Sequence, residues 1–318
     1  MTKPKLLVAR HLPKTPMQKI YDNFDIVDIS KDEQTNEQVI AAAQGCQAIL
    51  VGKALHKDLI DALPDSIKIF STMSVGYDHI DVAAANARGI IVCNTPSVLD
   101  NATAEIGLLL MLGAARGANW GHAQVAAGQW GKPGSTSPFG IDVTGKKVAI
   151  LGMGRIGRAF AKLARGLSME VHYYNRSRLS ADLEQGAIYH DTLEGLLPHA
   201  QFLSIHAGLT PDTKYILDAK AIELMPDGAV LVNTSRGDLV VDDAVIAALK
   251  SGKFFAAGLD VFTNEPNLNP EYLKLGNVYM LPHIGSATHE TRDAMGNRAA
   301  ENLIEYFKGN DPISVIKL

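Results

Sequence analysis

Arg236, Glu265 and His283 are the residues of this chain whose types and settings suit one reaction. Each stands just after a short apolar run. Asn233-Thr234-Ser235-Arg236-Gly237 follows Val230-Leu231-Val232, and Asp260 to Pro266 follows Ala256-Ala257-Gly258-Leu259. Pro282-His283-Ile284-Gly285 follows Val278-Tyr279-Met280-Leu281. Reducing a 2-keto acid requires a hydride to C2, a proton to the oxygen and an anchor for the carboxylate. A histidinium supplies the proton and polarises the carbonyl. A carboxylate on its other ring nitrogen fixes the tautomer and favours the charged form. An arginine grips carboxylate and carbonyl oxygens in a planar fork. Taken singly, Arg236 reads as a surface ion pair, Glu265 as a loop charge and His283 as a satisfied polar residue. Their joint occurrence, each at the end of a strand, favours the chemical reading. His283 and His289 are six positions apart with no cysteine near, so no metal site is expected.

Such residues converge only if the strands before them are parallel neighbours, because open α/β sheets bind ligands at the carboxyl ends of their strands. A second motif supports that frame. Gly152-Met153-Gly154-Arg155-Ile156-Gly157 lies between the apolar Lys147–Leu151 and an alanine-rich helical stretch, with another strand at Glu170–Tyr174. This is the β-α-β setting of a dinucleotide-binding loop. The first glycine permits the tight turn, the second lets a pyrophosphate approach the backbone, and the third lets helix and strand pack closely. The helix N-terminus offers N–H groups and a positive dipole end to the phosphates. An acidic residue about 20 positions on usually takes the ribose 2′-hydroxyl of NAD. Here Asn175 stands 23 residues after Gly152, followed by Arg176, Ser177 and Arg178. A guanidinium and a hydroxyl suit a 2′-phosphate, so the cofactor is expected to be NADP(H) in preference to NAD(H), with NAD(H) also admitted.

The 318 residues are comfortable for two domains. Hydrophobic residues make up 47% and charged residues 20%, a balance that suits a soluble globular protein. The net charge of −4 favours neither nucleic acid nor an anionic membrane. Cys46 and Cys93 sit in apolar surroundings and read as buried free thiols of a reducing, cytoplasmic compartment. The apolar run Ile106–Ala115 is too short to span a bilayer and reads as a buried helix.

Short apolar strands alternate with helices in two series, which predicts α/β architecture with parallel sheets. The first series has strands at 5–9, 48–51, 67–70 and 90–93. The second has six, at 147–151, 170–174, 201–205, 229–232, 255–259 and 277–281. A long helix is expected over 101–116, an extended excursion over 117–145, and a final helix over 290–308 that returns to the first domain. The expected domains are 1–98 with 290–318 for substrate and 99–289 for cofactor.

With these motifs in place, the chain resembles the D-isomer-specific 2-hydroxyacid dehydrogenase family over essentially its whole length. The elements that carry the resemblance are the glycine motif, Asn233–Gly237, Gly258–Phe262 with Glu265-Pro266, and Pro282-His283. Pro282–Thr288 is most similar to the glyoxylate/hydroxypyruvate reductase branch. The resemblance implies two doubly wound parallel-sheet domains, a Rossmann cofactor domain inserted in a flavodoxin-like substrate domain, with a closing cleft. It implies that His283 is the acid/base, Glu265 its partner and Arg236 the substrate anchor. Asp260 would hold the nicotinamide carboxamide, and Thr103, Thr234 and Gly285 would lie against the cofactor. Val75 and Gly76, in the turn after Ser74, would bind the substrate carboxylate through N–H groups, and Val51 and Gly52 would form another wall. A homodimer acting on a small 2-keto or 2-hydroxy acid follows, with Trp130 matching a pattern in which an aromatic closes the partner's site. No second tryptophan follows it here, and Gly208 stands where the family usually has proline. Other readings are a dehydrogenase of a bulkier 2-keto acid, a phosphite oxidiser, and a nucleotide-sensing binding module akin to NAD-responsive co-repressors of this fold.

Overall fold

The computed structural model describes residues 3–132 and 139–317. The chain divides into two compact units, 1–99 with 286–318 and 100–285. The first unit begins β1 (Lys5–Val8), α1 (Lys14–Asn23), β2 (Asp25–Asp28), α2 (Asn36–Ala42) and β3 (Ala48–Val51). It continues α3 (Lys57–Ala62), β4 (Ile69–Thr72), α4 (Val82–Ala87) and β5 (Ile91–Cys93). Its strands pair in parallel in the order β2-β1-β3-β4-β5, the flavodoxin-like arrangement.

The second unit opens with α5 (Asp100–Arg116) and α6 (Ala118–Ala126). Then follow β6 (Lys147–Leu151), α7 (Arg155–Gly166), β7 (Glu170–Tyr174), α8 (Ala181–Glu184), β8 (Ile188–His190) and α9 (Leu193–Leu196). The last part is β9 (Phe202–Ile205), α10 (Ala219–Glu223), β10 (Ala229–Asn233), α11 (Asp242–Ser251), β11 (Phe254–Leu259) and β12 (Val278–Met280). All seven strands are parallel, in the order β12-β11-β10-β9-β6-β7-β8. The order reverses between β6 and β9, and that switch point is where a doubly wound sheet opens a ligand crevice. Finally α12 (His289–Phe307) packs on α1 and β4 within the first unit.

The central strands read as apolar runs because both faces are covered. Every residue of β3, β4, β9 and β10 is buried. Two apolar clusters flank the seven-stranded sheet, one around Leu203, Leu231 and Leu249, the other around Ile150, Phe160 and Tyr173. Leu7, Ile49, Phe70 and Val92 centre the core of the first unit. Both free cysteines are buried.

Three features depart from the sequence expectation. Strands β2 and β8 do not stand out in the sequence because they are short, partly exposed and carry polar ends, Asp25 and Asp28 on β2 and His190 on β8. The expected extended excursion instead forms α6 over its first part, with Gly117 in the left-handed region at φ 60° separating it from α5. Residues 133–138 of the glycine- and serine-rich stretch lie outside the described residues. The run in α5 is not uniformly buried either: Leu110 is covered, whereas Leu109 is 44% exposed.

The return of α12 rests on a buried amide. Asn302 donates from Nδ2 to the Asn94 carbonyl, and its Oδ1 accepts from the Ser314 N–H at 3.0 Å and the Ser314 hydroxyl at 3.1 Å. Asn302→Ala strands these groups, and a buried polar group left unpaired costs about 1–3 kcal/mol. Urea unfolding should show a loss of at least about 1 kcal/mol; an unchanged midpoint would show that the amide does not hold the tail.

Candidate active site

Three loops at the carboxyl ends of β10, β11 and β12 bring the chemical residues together. After β10, fully buried Asn233 staples the turn: its Oδ1 accepts from the Ser235 N–H at 3.0 Å, and its Nδ2 donates to the Arg236 carbonyl at 2.8 Å. Gly237 then packs so closely on the next loop that a Cβ there would lie 1.9 Å from the Phe262 carbonyl carbon. Any side chain at this position would push the Arg236 turn away from the loop that carries Glu265.

Glu265 is held at both oxygens. Oε1 accepts from the Phe262 N–H at 2.9 Å, and Oε2 meets His283 Nδ1 at 2.7 Å. Burial alone would raise this carboxyl. The hydrogen bonds from His283 and Phe262 and the charges of His283 and Arg236 outweigh it, so Glu265 titrates below the ordinary carboxylate range. The carboxylate therefore stays ionised at neutral pH and protonates only as the pH falls through that lowered value. His283 has φ 54°, in the left-handed region. Its side chain is half exposed, with Nδ1 engaged by Glu265.

The loop bearing His283 is anchored by Asp260, which is completely buried. Its Oδ1 accepts from the Ile284 N–H at 2.8 Å and its Oδ2 from the Gly285 N–H at 2.7 Å. Burial raises the Asp260 carboxyl, and the two backbone hydrogen bonds oppose that. Thr103, 6% exposed on the first turn of α5, lies against Gly285.

The glycine loop sits at the switch point. Gly152 has φ 92°, and a Cβ there would lie 2.5 Å from the Ala207 nitrogen in the loop after β9. A Cβ on Gly157 would lie 2.5 Å from the Gly152 oxygen, whereas one on Gly154 would meet nothing within 4 Å. The first and third glycines thus serve internal packing, and the second leaves an open approach to the N-terminus of α7. These features fit a nucleotide pyrophosphate.

The NAD-binding-domain profile of the D-isomer specific 2-hydroxyacid dehydrogenases matches residues 108–285. The chain belongs to that family. It is 40% identical to a glyoxylate reductase of Thermococcus litoralis, with 99% of this chain and 97% of that one covered. It is 39% identical to a glycerate dehydrogenase of Hyphomicrobium methylovorum, with 98% of each covered. Among solved structures, an NADPH-dependent glyoxylate/hydroxypyruvate reductase of Sinorhizobium meliloti, in complex with NADP and malonate, superposes with a TM-score of 0.92. It is 31% identical, covering 99% of this chain and 97% of that one. The protein is an NAD(P)-dependent oxidoreductase with a Rossmann fold.

Elsewhere in this dehydrogenase, the residues singled out from the sequence fall into distinct settings. Asn175 uses its Oδ1 to accept the Met153 N–H at 2.6 Å, so it holds the glycine loop itself. Arg176 and Ser177 are exposed. Arg178 instead closes its fork on Glu184, at 2.8 and 3.1 Å, and Glu184 also accepts from the Tyr173 hydroxyl. Arg155 lies 3.7 Å from Asp100, and Ile156 is half-buried on α7. Thr234 faces the ring of His206 at 3.4 Å, whose other nitrogen meets Ser204 at 2.9 Å. Burial takes His206 down to about 3, which keeps it neutral at physiological pH. Trp130 is 79% exposed.

In the first unit, Val51 ends β3, and Gly52 packs against the Ala9 carbonyl. In the turn after β4 all three carbonyls are engaged. The Ser74 oxygen accepts from the Thr95 N–H, that of Val75 from Asn94 Nδ2, and that of Gly76 from the Ser74 hydroxyl. In a trans peptide the N–H points opposite its C=O, so the N–H groups of Val75 and Gly76 face the other side of the turn.

Two positioning roles escape the sequence. Asp260, expected at the carboxamide, directs both oxygens at the His283 loop, and Asn233 shapes the turn that presents Arg236. Asp260→Asn replaces one acceptor by an NH2 that faces a backbone N–H. One such lost hydrogen bond is worth about 1–3 kcal/mol, so the Ile284 or Gly285 amide should exchange with solvent about 10- to 100-fold faster. Unchanged protection at both amides, read by hydrogen exchange, would remove Asp260 from this role.

Proposed function

We propose that the enzyme reduces a small 2-keto acid, glyoxylate or hydroxypyruvate, to glycolate or the D-2-hydroxy acid, with NADPH preferred over NADH. The observation that carries this reading is the 2.7 Å contact between His283 Nδ1 and Glu265 at the strand ends of a nucleotide-binding sheet. The names of the relatives point the same way. In this reading the unit 100–285 binds the cofactor, and the unit 1–99 with 286–318 binds the substrate.

A bound reduced nicotinamide supplies the hydride. The glycine loop, Gly152 to Gly157, would hold the pyrophosphate, and Thr103, Thr234 and Gly285 would lie toward the nicotinamide. Arg236 draws electron density toward the substrate's carboxylate and carbonyl oxygens through charge-assisted hydrogen bonds. The N–H groups of Val75 and Gly76 take the carboxylate, and Val51 and Gly52 limit the space beside it. Glu265 keeps the Nδ1 proton in place, so His283 presents Nε2 as the donor. As the carbonyl carbon accepts hydride, the C–O π electrons move onto oxygen, and that oxygen takes the Nε2 proton. Imidazole then regains a proton from water, and in the oxidation direction it acts as the base. Asp260 and Gly237 keep the three loops in register, and positioning of this kind lowers a barrier without touching the substrate.

The NADPH preference rests on Arg176 and Ser177, since Arg178 braces its loop through Glu184. The apolar side chains of Leu109, Val125 and Trp130, exposed on and just after α5 and α6, suit burial in a homodimer. No helix among the described residues is long and apolar enough to cross a membrane.

His283→Gln should lower kcat for hydroxypyruvate at least about 10²-fold with the NADPH Kd unchanged, as expected for a positioned acid/base. Near-normal NADPH oxidation by this variant would refute the assignment. Arg176→Ala should weaken NADPH binding much more than NADH binding in parallel titrations; equal weakening would show that the loop does not read the 2′-phosphate.

A further inference from the structure

Three histidines outside this machinery meet on one face of the second unit. His172 lies in the middle of β7 and is 2% exposed. His190 ends the edge strand β8, and His199 closes the 3-10 turn Leu197–His199 that follows α9; both are half-buried. His172 Nδ1 lies 2.9 Å from His190 Nε2. The ring of His199 stacks on that of His172, with centroids 4.4 Å apart. On its far side, His172 Nε2 meets Glu170 Oε1 at 2.6 Å. One ring nitrogen from each histidine can be chosen so that all three lie within 4.8 Å of one another.

We propose that His172, His190 and His199 form a binding site for one divalent transition-metal ion of the zinc class. Tetrahedral zinc–imidazole bonds of about 2.0–2.1 Å place ligand nitrogens roughly 3.4 Å apart. His172 Nδ1 and His190 Nε2 stand 2.9 Å apart on a hydrogen bond; with His172 Nε2–H held by Glu170, the proton of that bond sits on His190 Nε2, and the ion would displace that proton and spread the pair by about half an ångström. Lone pairs lie in the ring planes, so His199 must turn out of its stack to aim at the same ion. His199 is half-buried and its ring also lies 4.8 Å from that of His190, so this rotation would give up both ring contacts for the metal bond. Glu170 supplies the supporting contact. A carboxylate on Nε2–H fixes the tautomer that leaves the Nδ1 lone pair of His172 available, the usual outer partner of a metal-bound imidazole. The fourth position is left to water. The ion would tie β8 and the 197–199 turn to β7, the strand that leads into the Asn175–Arg178 loop.

The test uses full-length protein with no affinity tag, stripped with chelator and dialysed, then titrated with zinc chloride by calorimetry. One equivalent should bind, the melting temperature should rise, and cobalt(II) should give the visible absorption of a tetrahedral site. His190→Gln and His199→Gln should each weaken zinc binding at least about 10-fold, with circular dichroism and NADPH affinity unchanged. His283→Gln should leave it intact. Absence of binding, or binding unaffected by both the His190 and His199 variants, would overturn the site. Loss of binding in His283→Gln alone would place the ion on the acid/base pair and would equally overturn it. The outcome is independent of turnover, so it separates this proposal from the reductase assignment.

Discussion

One buried carboxylate decides where the imidazole of this site stands. Asp260 sits at the end of β11 with no exposure, and both its oxygens accept N–H groups from the loop after β12. Burying a carboxylate is costly unless hydrogen bonds satisfy it, and here the loop provides them. The same two hydrogen bonds that stabilise Asp260 also fix Ile284 and Gly285. They thereby hold His283, whose backbone lies in a left-handed conformation that an unrestrained non-glycine residue seldom adopts. The 2.7 Å contact with Glu265 depends on that restraint.

Around this point the loops are matched by close backbone approach rather than by further charge. Gly237 brings the Arg236 turn onto the Phe262-Thr263 peptide, and Gly152 brings the nucleotide loop onto the loop after β9. Each glycine stands where a Cβ would meet backbone atoms, which cannot move aside as the tip of a side chain can. The parallel order of β9, β10, β11 and β12 sets the spacing of the loops, and the glycines close the remaining distance.

Much of this was legible in the residues. Short apolar runs announced the central strands, because a strand covered on both faces has no polar side to show. Strands β2 and β8 were not legible, since each is short, partly exposed and polar at an end, which makes its composition resemble that of a loop. The helix α6 lay in a stretch whose glycines suggested an extended path. Arg178 illustrates a different limit. Its type suited a phosphate, but its partner is Glu184, six residues on, brought into range by the α8 turn. The histidines at 172, 190 and 199 have no metal-ligand spacing in the sequence; the β7–β8 pairing and the turn after α9 assemble them.

The sequence by itself determined the chemistry available. An imidazole, a carboxylate and a guanidinium follow three strands, a glycine loop follows a fourth, and a segment with two arginines follows the next strand. Residue type sets charge, proton affinity and permitted backbone angles, and all of these are local properties. Only the tertiary structure decided how those groups are held: Glu265 on His283, Asp260 beneath the loop, Asn175 on the glycine turn, and Arg178 drawn away to Glu184. Three of these partnerships join residues 18 to 25 positions apart, and the six-residue Arg178–Glu184 pair needs the α8 turn; strand order, register and turn geometry set them, not residue type.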